Sequence, residues 1–118
     1  MAILNKTITY TQMYIRLQIS KYLNKCGGII GHVGDGNFHV FFGVDTENQE
    51  ELAELKDLAD QIAYLALDNN GTMTGEHGIG LGKKHLVEKQ VGSGSYRVMK
   101  LLKNSIDPKN LMNPGKIF

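Results

Sequence analysis

One cysteine in 118 residues, Cys26, leaves no internal disulfide and no cysteine-built metal site; it fits a reducing compartment and reads as a small buried hydrophobe. Runs of basic charge are missing as well. Lys and Arg number 13 against 12 Asp and Glu, the net charge is +1, and no basic run exceeds Lys83-Lys84, so the electrostatic footprint of a nucleic-acid binder is absent. No apolar stretch approaches the roughly 18 to 20 residues that a membrane-crossing helix needs. Acidic residues are lacking from the first 34 positions, which do hold Lys6, Arg16, Lys21 and Lys25 among Thr, Ser and Tyr. That is the compositional habit of a mitochondrial transit peptide, although a lone Arg16 falls short of the usual arginine content. The same segment also reads as a strand or helix entering the domain.

What is present is ordinary for a globular domain: 42% of residues are hydrophobic and 21% charged. A chain of this length buries about two thirds of its unfolded surface, enough for one modest core. Internal repeats are absent, and no linker divides the chain. Residues 1–26 are weakly patterned, with apolar positions that fit neither the helical nor the strand period. From Gly27 the signals sharpen. Ile29-Ile30-Gly31-His32-Val33 and Phe38-His39-Val40-Phe41-Phe42 are β-rich runs separated by Gly34-Asp35-Gly36-Asn37, and Asp-Gly between such runs predicts a hairpin.

Thr46 precedes Gln49 at capping-box spacing, and Leu52, Leu55, Ala59, Ile62 and Ala66 recur at helical intervals until Asn69-Asn70-Gly71. This predicts an amphipathic helix over residues 47–69. A Gly-punctuated stretch through Gly75-Glu76-His77-Gly78 reads as a strand end running into a loop. A short helix over residues 81–90 comes next, then another from Ser95 whose apolar face is Val98, Leu101, Leu102 and Ile106. Asp107-Pro108 ends it, and the tail Asn113-Pro114-Gly115-Lys116 is turn chemistry. The fold class expected is α+β: an antiparallel sheet with a central hairpin over residues 28–44 packed against the 47–69 helix, with the C-terminal helix and tail wrapping its edge.

In a hairpin centred on Asp35-Gly36, residues equidistant from the centre face one another, which pairs His32 with His39. Directly opposed side chains share one face with Cβ atoms about 4.5 to 5.5 Å apart, so both imidazoles could reach one ion. Paired histidines alone are weak evidence, because imidazoles at this separation need no metal. Glu76-His77 adds weight: two His and one Glu are the donors of open catalytic zinc sites. Asp35 and Asn37 read first as turn-stabilising residues, with the option of donating or accepting toward a ligand over the turn. Lys83 and Lys84 read as a solvated helix face and His85 as a surface residue. The glycine-rich loops match neither a phosphate loop nor a dinucleotide fingerprint.

Three segments in order, Gly31-His32-Val33-Gly34-Asp35-Gly36-Asn37-Phe38-His39, Gly75-Glu76-His77-Gly78-Ile79-Gly80, and the tail from Asp107-Pro108 to Asn113-Pro114-Gly115-Lys116-Ile117, resemble the C-terminal region of the FAD-linked oxidases, the D-lactate (cytochrome) dehydrogenase and glycolate oxidase group. The resemblance runs from about Gly27 to Phe118 and implies an atypical N-terminal segment, 1–26, followed by a partial FAD-linked oxidase C-terminal domain, 27–118. It implies His32, His39 and Glu76 as ligands of zinc or manganese. His77 would be the base that takes the hydroxyl proton of a D-2-hydroxy acid while hydride passes to FAD, and Asn113 would be a flavin contact.

Two departures qualify what the resemblance implies. Relatives acting on D-2-hydroxyglutarate look to carry Asn two positions after the second hairpin histidine, where this chain has Phe41; that favours a smaller, D-lactate-like monocarboxylate. Family members also carry an FAD-binding domain, for which 118 residues leave no room. The chain is therefore expected to be inactive alone, and to work with an FAD-binding polypeptide in trans if it works at all, in a mitochondrial or cytoplasmic setting. The competing expectation is a non-catalytic remnant serving as a metal-binding or interaction module. A third is a free-standing metal hydrolase with His77 as base.

Overall fold

The computed structural model describes residues 2, 3 and 26–118. The expectations for residues 1–26, including the transit-peptide reading, lie outside the described residues apart from Ala2, Ile3 and Cys26. The chain divides into two compact units, Met1–Glu76 and His77–Phe118.

The first unit is α+β. Strands β1 (Ala2–Ile3), β2 (Cys26–His32) and β3 (Asn37–Phe42) form an antiparallel sheet in the order β1-β3-β2. The hairpin forms where the Asp-Gly signal puts it, but its register differs from the expected one. Ile30 pairs with His39, Gly31 with Phe38, and His32 with Asn37. The cause is the connection. Val33–Asp35 adopt a 3-10 turn, and only Gly36 takes positive φ, 71°. A two-residue type I′ turn on Asp35-Gly36 would need positive φ at both positions. The longer loop moves the centre of the hairpin back by one residue and slides the cross-strand pairs from Gly28 to His32 by two, with a further irregularity between Cys26 and Gly28.

That slip preserves the faces, because strand side chains alternate with period 2. Phe38 and Val40 pack with Ile62 and Leu65 around buried Ala66, so Asn37, His39 and Phe41 belong to the opposite face. Gly31 permits the strands to close: a Cβ there would stand 2.2 Å from the Asn37 carbonyl oxygen and 2.5 Å from Phe38 Cα.

Helix α1 spans Gln49–Asp68. Its N-cap is Asn48 rather than Thr46, with Asn48 Oδ1 accepting the Glu51 amide at 3.1 Å. Asn48 and Glu51 have capping-box spacing themselves, and the Asp45 amide donates to Glu51 Oε2 at 3.4 Å. At the other end the residue in left-handed conformation is Asn70, φ 58°. Its amide donates to Leu67 O at 3.0 Å and that of Gly71 to Ala66 O at 2.7 Å, a Schellman closure of the orphan carbonyls. The buried stripe runs through Leu58, Ala63 and Ala66. Ala59, expected on that stripe, is exposed.

In the second unit a 3-10 turn, Lys84–Leu86, leads into helix α2, Val87–Ile106. Gly92 interrupts it at φ 80°, ψ 155°, so the two short helices expected are two helical pieces joined by a kink that glycine accommodates. Asp107 caps the end. The stripe Val98, Leu101, Leu102 and Ile106 is apolar as expected, yet it faces solvent among the described residues. Lys84 departs from its expected role: it is half-buried, and its ammonium donates to Gly115 O at 3.2 Å and Phe118 O at 2.9 Å. The Ile117 amide donates to Gly80 O at 2.9 Å, and the Tyr96 and Phe118 rings meet at 5.8 Å.

Candidate functional site

The face of the hairpin turned from α1 carries the imidazoles. His39 projects from the middle of β3 and stacks on Phe41, ring centroids 6.3 Å apart and planes 20° from parallel. Two residues along one strand share a face, so this contact follows from sequence spacing alone. Phe41 is half-exposed and cross-strand Ile30 more so, giving His39 an apolar surround on a rigid element.

Glu76 arrives from far along the chain. After α1 closes at Gly71, the segment is anchored by fully buried Met73 and by the Thr72 hydroxyl donating to Thr74 O at 2.8 Å. Glu76 then stands with Oε1 2.9 Å from His39 Nε2. Their side chains are 24% and 60% exposed, so water reaches the pair and its strength as an ion pair is modest. The arrangement nonetheless aims an imidazole nitrogen and a carboxylate oxygen at one spot.

His32 is not directly opposite His39. It pairs with Asn37, one same-face step beyond Ile30, which does face His39. His32 and His39 are therefore diagonal neighbours on one face, with Cβ atoms about 7 Å apart. His32 is not among the described residues whose donor atoms cluster with those of His39 and Glu76. Asn37 is half-buried, and among the described residues its Oδ1 is shut off from solvent without a hydrogen-bond partner. By sequence it reads first as a turn residue with the option of meeting a ligand over the turn; the stronger signal is its place between the two histidines.

His77 follows Glu76 directly and is exposed. It opens the second unit, where Gly78 (φ 73°) and Gly80 (φ 53°) set the path of the loop. Asn113 lies in the tail of that unit, exposed and in left-handed conformation at φ 48°. Its carbonyl accepts the Lys116 amide at 3.2 Å. The tail is pinned by Asp107, whose carboxylate takes the Lys103 ammonium and the Leu111 and Met112 amides, both at 2.9 Å. The Lys103 hydrogen bond, foremost, and those amides hold the Asp107 carboxyl below the usual carboxylate range against the opposing effect of burial.

Two imidazoles on one face of a hairpin, one of them met across a long sequence separation by the Glu76 carboxylate, coincide with a family match. Residues 15–117 match the FAD linked oxidases, C-terminal domain. The chain belongs to this family. It is 50% identical over 95 residues to a probable mitochondrial D-lactate dehydrogenase of Danio rerio, covering 80% of this chain and 19% of the relative. It is 42% identical over 102 residues to the mitochondrial D-lactate dehydrogenase (cytochrome) 1 of Saccharomyces cerevisiae, covering 86% of this chain and 16% of the relative. Against the glycolate oxidase subunit GlcD of Bacillus subtilis identity is 39% over 88 residues, 75% of this chain and 19% of that one. This FAD-linked oxidase domain thus spans less than a fifth of the length of these curated relatives.

Proposed function

We propose that the chain supplies the metal-and-base part of an FAD-dependent D-2-hydroxy-acid dehydrogenase acting on a D-lactate-like substrate. The observation that carries this reading is the 2.9 Å approach of His39 Nε2 to Glu76 Oε1 on the face that also bears His32. The donor set suits zinc or manganese, since imidazole and carboxylate serve both. His32, His39 and Glu76 would hold the ion, which when bound lowers the pKa of a coordinated hydroxyl and orients the carbon beside it.

His77, one peptide bond from Glu76, takes the substrate hydroxyl proton as general base. FAD would be held by a region outside these 118 residues, either in a longer chain or in a partner polypeptide, and would supply the hydride acceptor. Asn113 is a flavin contact from the C-terminal tail, and 27–118 is the domain concerned. Phe41 bears on specificity: its ring stacks beside His39, where an apolar wall suits the methyl group of lactate and offers nothing to a second carboxylate. A mitochondrial setting is supported by the names of the Danio and Saccharomyces relatives.

The direct His39 to Glu76 contact also favours a second reading, a non-catalytic remnant in which the pair is only structural. Elemental analysis of purified wild type and His39→Ala, with a flavin absorbance scan, separates the two. One zinc or manganese per chain in wild type, lost in the variant and accompanied by no flavin, is the expected result. Metal-free wild type would rule out a preformed site and leave the remnant.

A further inference from the structure

A carbonyl oxygen withdrawn from water with nothing donating to it is a standing cost to the fold, and native structures keep few of them without a functional reason. Asn37 Oδ1 is such an atom. Its residue is the direct cross-strand partner of His32 and sits two positions before His39 on the same strand, so it shares their face. Directly opposed side chains have Cβ atoms about 4.5 to 5.5 Å apart, within hydrogen-bonding reach for an amide and an imidazole. A histidine that binds a metal through one ring nitrogen carries a proton on the other, and that N–H needs an acceptor to fix the tautomer and the ring plane.

We propose that Asn37 is a positioning residue for the metal site: its Oδ1 accepts the non-ligating N–H of His32 and holds that imidazole in ligating orientation. The inference rests on the metal reading above. It also accounts for the register, since a two-residue slip places an amide acceptor opposite His32 where another imidazole was expected. The orphaned acceptor is then satisfied in the metal-bound state, and removing it should not harm the metal-free fold.

The test uses the full chain, with Zn²⁺ binding by calorimetry and thermal unfolding in chelator, for wild type, Asn37→Leu and Asn37→Asp, and for Asn37→Leu in a His32→Ala background. Asn37→Leu should weaken Zn²⁺ binding about 10- to 100-fold while the metal-free unfolding midpoint stays the same or rises. Asn37→Asp, a stronger acceptor of similar shape, should restore binding. With His32→Ala already present, Asn37→Leu should weaken binding no further. Unchanged affinity in Asn37→Leu overturns the proposal, as does a loss that follows a falling metal-free midpoint, or one that persists in full without His32. Wild type that binds no Zn²⁺ overturns the metal reading and this inference together, whereas wild type and Asn37→Leu binding alike overturns the inference alone.

Discussion

Helix α1 and the longer helical piece of α2 are both amphipathic, yet they end in opposite situations. The stripe of α1 disappears into its unit, with Leu58 2% exposed and Ala63 and Ala66 1%. The stripe of α2 stays in solvent: Leu101 is 61% exposed and Leu102 56%. Contiguous exposed apolar side chains are uncommon on a globular fold and set the two helices apart. An apolar period thus tells that a helix has a face to cover, and only the structure tells whether the cover is present.

Truncation inside the covered stripe should have the largest effect. Leu58→Ala removes buried methyl groups and leaves a cavity, for an expected loss of about 2 to 5 kcal/mol. Urea denaturation checks it. A loss below about 1 kcal/mol would mean that α1 is no better covered than α2, and the comparison would collapse.

The second unit relies on polar anchoring instead, and its response to acid sharpens the difference. The Asp107 carboxyl is held below its ordinary value chiefly by Lys103, then by the Leu111 and Met112 amides. A carboxyl depressed in the folded state stabilises fully above the unfolded-state pKa, about 3.9 for aspartate, and the contribution is lost as pH falls through the lower folded value. The tail around Leu111 and Met112 should therefore stay anchored at neutral pH and loosen below about pH 4. Asp107→Asn should loosen it at every pH and abolish that dependence. Chemical shifts of the two amides report it, and amides indifferent to both acid and the substitution would remove Asp107 as the anchor.

Much of the first unit was legible because its signals are local. Asp-Gly between β-rich runs located the hairpin, and Asn69-Asn70-Gly71 located the end of α1. Register was not legible, since it depends on which residues tolerate positive φ: a 3-10 turn with Gly36 alone in that region displaced the pairing by two and put Asn37 opposite His32. The N-cap shifted from Thr46 to Asn48 because both have capping spacing and only tertiary context chooses. For the site, the shared face of His32 and His39 followed from strand alternation. The approach of Glu76 to His39 had no local signature; a carboxylate beside an imidazole in a glycine-rich segment, and then the family resemblance, singled out that glutamate, and the fold brought the two together. Lys84 was misread because a lysine pair near a helix start looks solvated until the tail it binds is seen.

The smallest effect belongs to the uncovered stripe. Leu101→Ser combined with Leu102→Ser takes apolar groups off a surface already in water, so little transfer free energy is lost. Serine is also only slightly poorer than leucine in a helix, so stability should change by no more than about 1 kcal/mol while solubility rises. Urea denaturation at several protein concentrations measures both the size of the change and its origin. A loss of several kcal/mol that grows with concentration would mean that a second copy covers the stripe in solution. A loss of that size independent of concentration would mean that the chain covers it itself. A near-zero change leaves α2 as described: an amphipathic helix whose apolar face lacks a partner among the described residues.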